Sequence, residues 1–132
     1  MYPNAPNRRN KLIEPELSFK VVGLLYQVHN KLGHYSRERQ YGDLLEILLR
    51  ENGLLYEREK PIIVAERKSN FVDFCIDNRI LVDLKVKPFT TKEDYRQMQR
   101  YLTTEEKELG LIVNFRQKTL RPKRILNYKL RK

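Results

Sequence analysis

The 132 residues are 40% hydrophobic and 33% charged, enough apolar material for one core and too much for a disordered tail. No apolar run approaches the ~18 residues that span a bilayer, and Cys75 stands alone, so membrane spans and internal disulfides are excluded and a reducing cytoplasm is the expected setting. The net charge of +10 lies at the ends: residues 1–11 hold three basic residues and 116–132 hold eight, with no acidic residue in either.

Residues 1–11, with Pro3, Pro6 and three Asn, read as a flexible basic leader, and 12–132 as a single domain. From Glu16 to Leu32, Leu17, Val21, Leu24, Leu25, Val28 and Leu32 recur at helical spacing, and Gly33 follows as a C-terminal cap. A second helix is predicted over Ser36–Glu51, with Tyr41, Leu44, Leu45, Leu48 and Leu49 as its stripe and Asn52-Gly53 as its stop. Leu54–Glu59 and Ile62–Glu66 read as short strands interrupted by Pro61, followed by strands at Phe71–Ile76 and Ile80–Val86. A third helix fits Lys92–Thr103, with Thr91 as N-cap and Asp94 at capping-box spacing. Leu109–Phe115 reads as a buried central strand, and Arg124–Leu130 as an edge strand carrying its charges outward. This order describes an α/β or α+β domain with a mixed sheet flanked by helices.

Clustered Lys and Arg on a small protein favour a polyanionic partner, most often nucleic acid. Arg116, Lys118, Arg121, Lys123 and Arg124 are the candidate contacts; a solubilising tail is the competing reading.

The chemistry concentrates in the hairpin 72–86. Asp83 and Lys85 share one strand face, and Val72, Phe74 and Ile76 are expected on the other with Ile80, Val82 and Leu84. A two-residue turn would set Asp73 among apolar residues, at a cost. A three-residue loop, Asp77–Arg79, pairs Ile76 with Ile80 and sets Asp73 opposite Asp83, with Asn78 or Arg79 supplying the left-handed residue. Facing carboxylates repel. A divalent cation removes that repulsion, and oxygen ligands suit Mg²⁺ or Mn²⁺; an ordinary charged strand face is the alternative. Lys85 could orient a water and stabilise charge on phosphorus.

Two helices could complete such a site. Glu38 falls inside the arc of Tyr41, Leu45 and Leu49, where it needs a partner, unless it is an exposed first-turn acid favoured by the helix dipole. Gln97 and Tyr101, four apart, share a face and could bond a phosphate, or Tyr101 simply packs with Met98 and Leu102. His29 and His34 have poor metal spacing, Cys75 has no base beside it, and the absence of CxxC and HExxH patterns argues against zinc.

Leu17–Gly33, Glu38-Arg39-Gln40-Tyr41, Asp73 with Asp83-Leu84-Lys85, and Gly110–Phe115 together resemble the G-x-x-E-x-x-Y proteins of the PD-(D/E)XK nuclease superfamily, over residues 16–126. The resemblance implies an α/β, restriction-endonuclease-like core with a central four-stranded mixed sheet and a metal-dependent phosphodiesterase site. By position Asp73 matches the motif's first Asp, Asp83 its (D/E), Lys85 its Lys and Glu38 the helical Glu; Gln97 and Tyr101 resemble the Q-x-x-x-Y motif of RecB-like nucleases. It further implies Asp73, Asp83 and Glu38 as metal ligands, Mg²⁺ or Mn²⁺ as cofactor, and DNA ahead of RNA as substrate, with a homodimer as one way to cut a duplex. Two positions depart: Tyr35 replaces the motif's leading Gly, and Asp83 the commoner Glu. A non-catalytic nucleic-acid-binding or adaptor module on the same fold is the alternative.

Overall fold

Amphipathic spacing produces the first two helices. Helix α1 (Pro15–Leu32) buries Leu17, Val21, Leu24, Leu25 and Val28, and ends where Gly33, at φ +76°, donates its N–H to the His29 carbonyl. Helix α2 (Glu38–Glu51) buries Tyr41, Leu45 and Leu49 and turns off through Asn52 and Gly53. The structure is a computed structural model describing residues 15–64 and 67–130. The expected leader, 1–11, lies outside the described residues.

Five strands follow, with one helix between the third and fourth: β1 (Tyr56–Val64), β2 (Arg67–Ile76), β3 (Ile80–Lys85), α3 (Lys92–Glu105), β4 (Leu109–Asn114) and β5 (Lys123–Leu126). The sheet runs β1-β2-β3-β4-β5, with β3 and β4 parallel and every other pair antiparallel. It is therefore a mixed α/β sheet, of five strands where the resemblance implied four. On one face α1 and α2 cover Phe74, Ile76, Ile80, Val82, Leu84, Leu111, Val113 and Phe115. On the other, α3 sets Met98, Tyr101 and Leu102 against Ile62, Val72, Cys75, Leu81 and Ile112. No described helix is long and apolar enough to cross a membrane.

The hairpin loop is the expected one. Ile76 pairs with Ile80, and Arg79 donates its N–H to the Ile76 carbonyl at 3.0 Å. Asn78 supplies the left-handed residue (φ 56°) and Arg79 does not; Asp77 before it is left-handed as well (φ 53°), and Asp and Asn are the types that tolerate it best.

Other expectations change. Pro61 does not split β1, because an edge strand has an unpaired side where a missing N–H is tolerated; it pairs with Phe71. Helix α2 begins at Glu38 rather than Ser36, since residues 34–36 are held as a loop by Tyr41 and Arg116. Helix α3 runs two residues past Thr103 and is ended by left-handed Glu106. Strand β5 stops at Leu126, and Arg124 turns inward from it to Ser18 of α1. Val72 leaves the layer of Phe74 for the α3 layer, breaking the expected alternation at Asp73. Opposite this break, Glu59 of β1 is left-handed (φ 53°) and makes no ladder pair, while Arg58 and Lys60 beside it pair with Phe74 and Val72. A local roll of the two strands accounts for both.

Candidate active site

Asp73 sits at this break and escapes both apolar layers. Its carboxylate accepts the Leu84 N–H at 2.6 Å and hydrogen-bonds the Asp83 side chain. Burial, then the charge of Asp83, pushes the Asp73 pKa from 3.8 to about 8. Asp73 is thus held in its protonated form at neutral pH. Asp83, buried on β3, accepts from Lys85 Nζ at 2.8 Å.

Lys85 is the hub. Its Nζ also lies 3.4 Å from Gln97 Oε1 and 3.8 Å from Asp94 Oδ1. Burial by itself would lower its pKa, but Asp83, then Asp94, hold it above the ordinary lysine value, so it stays cationic. Asp94 reaches further: it accepts from Lys87 Nζ at 2.7 Å and from the Thr91 N–H at 2.8 Å, capping α3. Burial opposes that charge, but Lys87 and the Thr91 N–H keep its pKa low. Asn114, at the end of β4, closes the strand exit by donating to the Lys87 carbonyl at 2.7 Å and accepting the Lys87 N–H at 3.3 Å.

Glu38 opens α2 as an exposed first-turn acid and has no hydrogen-bond or ion-pair partner among the described residues. Partial burial, then Asp83, raises its pKa, with Lys85 opposing. Its position is set by the loop before it. Tyr41 Oη donates to the Gly33 carbonyl at 2.6 Å and accepts the Ser36 N–H at 3.1 Å, while its ring stacks on Phe115 at 4.2 Å. Arg116 donates to the His34 and Ser36 carbonyls at 2.7 and 3.3 Å from the other side and lies 5.6 Å from the Tyr35 ring. Tyr35 keeps its backbone out of the left-handed region, so this loop needs no glycine there.

Glu38, Asp73, Asp83, Lys85, Gln97 and Tyr101 all line one cleft of about 380 Å³, together with Asn70 and Lys87. Tyr101 serves two ends: its ring packs with Met98 and Leu102, and burial, then Asp83, pushes its pKa up to about 12, keeping the hydroxyl a proton donor. Among the described residues no three His, Cys, Asp or Glu side chains converge on a point that would hold a metal ion. Asp73 and Asp83 in one cleft, with Glu38 near enough to feel Asp83, nevertheless have the donor chemistry of a hard divalent cation.

Of the basic candidates, Lys118, Arg121 and Lys123 are exposed, whereas Arg116 and Arg124 make internal bonds. Asp94, Lys87 and Asn114 were not singled out from the sequence as part of the site; only Asp94 left a signal, its capping-box spacing. His29 is a packed residue, its Nε2 2.8 Å from the Gln117 carbonyl, and Cys75 is a buried free thiol.

No curated protein and no solved structure matches the chain. A family model, that of the PD-(D/E)XK nuclease superfamily, matches residues 15–125, which hold all three helices, the sheet as far as Ile125 of β5 and every residue of the cleft named above. The chain belongs to the PD-(D/E)XK nuclease superfamily.

Proposed function

We propose that this protein is a divalent-metal-dependent nuclease of the G-x-x-E-x-x-Y type that hydrolyses phosphodiester bonds, with DNA as the favoured substrate and the cytoplasm as its setting. The observation that carries the reading is the meeting of Asp73, Asp83 and Lys85 with Glu38, Gln97 and Tyr101 in one cleft. Asp73 and Asp83 would hold Mg²⁺ or Mn²⁺ with Glu38 as the third acid, and the ion would supply Lewis-acid polarisation of the phosphate.

The side chains divide the remaining work. A cationic Lys85 is a hydrogen-bond donor rather than a base, so it aligns the attacking water and offsets negative charge growing on the phosphoryl oxygens. Gln97 holds Lys85 from α3, and the Tyr101 hydroxyl remains a donor for a phosphate oxygen. Lys118, Arg121 and Lys123 provide grip without sequence preference.

The test is cleavage of single-stranded and duplex DNA with Mg²⁺ or Mn²⁺, beside an EDTA control. Lys85→Ala is expected to lower the rate by about a hundredfold or more, the scale of losing a charged transition-state donor. Equal cutting by mutant and wild type overturns the assignment. That no three acid, His or Cys side chains converge among the described residues favours a second reading, a binding or adaptor module without catalysis. Thermal stabilisation by Mn²⁺ that disappears in Asp83→Asn supports the nuclease; no metal effect on a folded wild type supports the module.

A further inference from the structure

The cleft does not end at Tyr101. Asn70 and Tyr101 also line a neighbouring cavity of about 610 Å³, whose walls include Ile62, Gln99, Arg100, Tyr128 and Lys129. A second cavity, of about 660 Å³, shares Gln99, Arg100 and Tyr128 with the first and reaches Arg96 and Arg124. Tyr128 therefore stands between two hollows that lead away from the catalytic acids, with 78% of its surface exposed.

The charge of this trough has one sign. Arg96, Arg100 and Lys129 line it, and no described Asp or Glu does; Arg124 borders it too, but its guanidinium is turned away to Ser18 of α1. Arg96 and Arg100 lean on Glu93 at 3.8 and 3.1 Å, but all three side chains are exposed, and such pairs hold weakly against a polyanion. Gln99 is anchored by its amide, which donates to the Leu126 carbonyl at 2.6 Å.

A phosphate track by itself needs only cations. A trough that adds a buried apolar wall at Ile62, an exposed phenol ring and two side-chain amides matches an unpaired nucleotide, whose base offers a face to stack and a polar edge. In a duplex those faces are already stacked on their neighbours and cannot reach the ring.

We propose that this trough is a subsite for single-stranded nucleic acid: a base close to the reacting phosphate stacks on Tyr128, and the backbone continues over Arg100 and Lys129 toward Arg96. The proposal rests on the nuclease reading and supplies its strand preference.

Fluorescence anisotropy in EDTA tests it apart from cleavage. The probes are a labelled oligothymidylate of about twelve nucleotides, within the range of single-strand sites, and a labelled duplex. Tyr128→Ala is expected to weaken single-strand binding about tenfold, the effect of losing one stacked base, while Tyr128→Phe retains it. Duplex binding, carried by phosphate contacts, is expected to stay unchanged. Equal losses on both probes, no loss, or a Phe variant as weak as Ala overturns the subsite. Because Tyr128 is exposed, matched melting curves establish that the variants fold. Cutting by a chain whose binding ignores Tyr128 overturns the subsite and leaves the nuclease. Tyr128-dependent binding by a chain that does not cut supports the subsite and overturns the nuclease reading.

Discussion

Asp73 shows how one carboxyl group links stability to chemistry. Its pKa is about 8 in the folded chain, raised by burial and by Asp83, against 3.8 when unperturbed. Between those values the folded state keeps a proton that the unfolded state has released. Stability therefore falls as pH rises through that window, by at most about 1.4 kcal/mol per pH unit for one proton. Chemical denaturation of the metal-free protein from pH 5 to pH 8 checks this. Wild type is expected to lose stability along the series, and Asp73→Asn to flatten the slope. An equally steep slope in the mutant would show that Asp73 is not the source. Mn²⁺ is expected to remove the slope in the wild type, since an ion in place of the Asp73 proton stabilises its ionised form.

Among the elements, α3 carries the tightest fit. A Cβ on Gly110 would lie 2.5 Å from Met98 Sδ and 2.7 Å from its Cγ, so the helix approaches β4 as closely as a bare backbone permits. Met98 is buried and has little room to retreat. Gly110→Ala is expected to destabilise by about 1–3 kcal/mol, the usual range for overpacking. A urea midpoint equal to that of the wild type would show that the helix shifts freely. Such closeness matters because α3 brings Gln97 and Tyr101 to the cleft. Much of the element plan was legible in the sequence, for specific reasons. The hairpin register followed from a single electrostatic argument, that Asp73 could not lie among apolar residues. The Gln97–Tyr101 pair followed from helical spacing. The roll at Asp73 had no such signal, because its counterpart is a left-handed glutamate on the neighbouring strand, a conformation that residue type does not announce. Asp94 was half legible: cap spacing revealed its bond to Thr91, but its reach to Lys85 and Lys87 depends on where the crossover from β3 sets the helix down.

Taken whole, the molecule uses part of its basic C-terminal segment as architecture. Arg116 clamps the loop before α2, Leu120 is buried, and Asn127 donates to the Leu102 and Lys107 carbonyls at the end of α3. Deleting 116–132 would therefore remove structure together with charge. The charge is isolated by replacing the exposed Lys118, Arg121 and Lys123 with Gln. The slope of log affinity against log salt for a single strand is expected to drop by roughly two, at ~0.7 per phosphate contact. A salt series by anisotropy reads it, and an unchanged slope would remove these residues from the interface. From composition, this segment looked like one uniform charge run; which of its cations face inward is decided by the pairing of β5 with β4.

The bonds joining α1 to the segment after β4 also bear on the order in which the chain folds. Arg124 meets Ser18 across 106 positions, and the Gln117 carbonyl meets His29 across 88. Loops that long are slow to close, because their entropy is lost before distant contacts compensate it. At ~5–20 residues per second on the ribosome, α1 is complete on the order of five to twenty seconds before Arg124 is made. Through that interval Leu17, Val21, Leu24, Leu25 and Val28 lack the cover that Phe115 and Leu120 later provide. The nascent chain therefore presents its first helix as a sticky surface, and the protein's yield in a cell depends on what shields that helix until the last strand arrives.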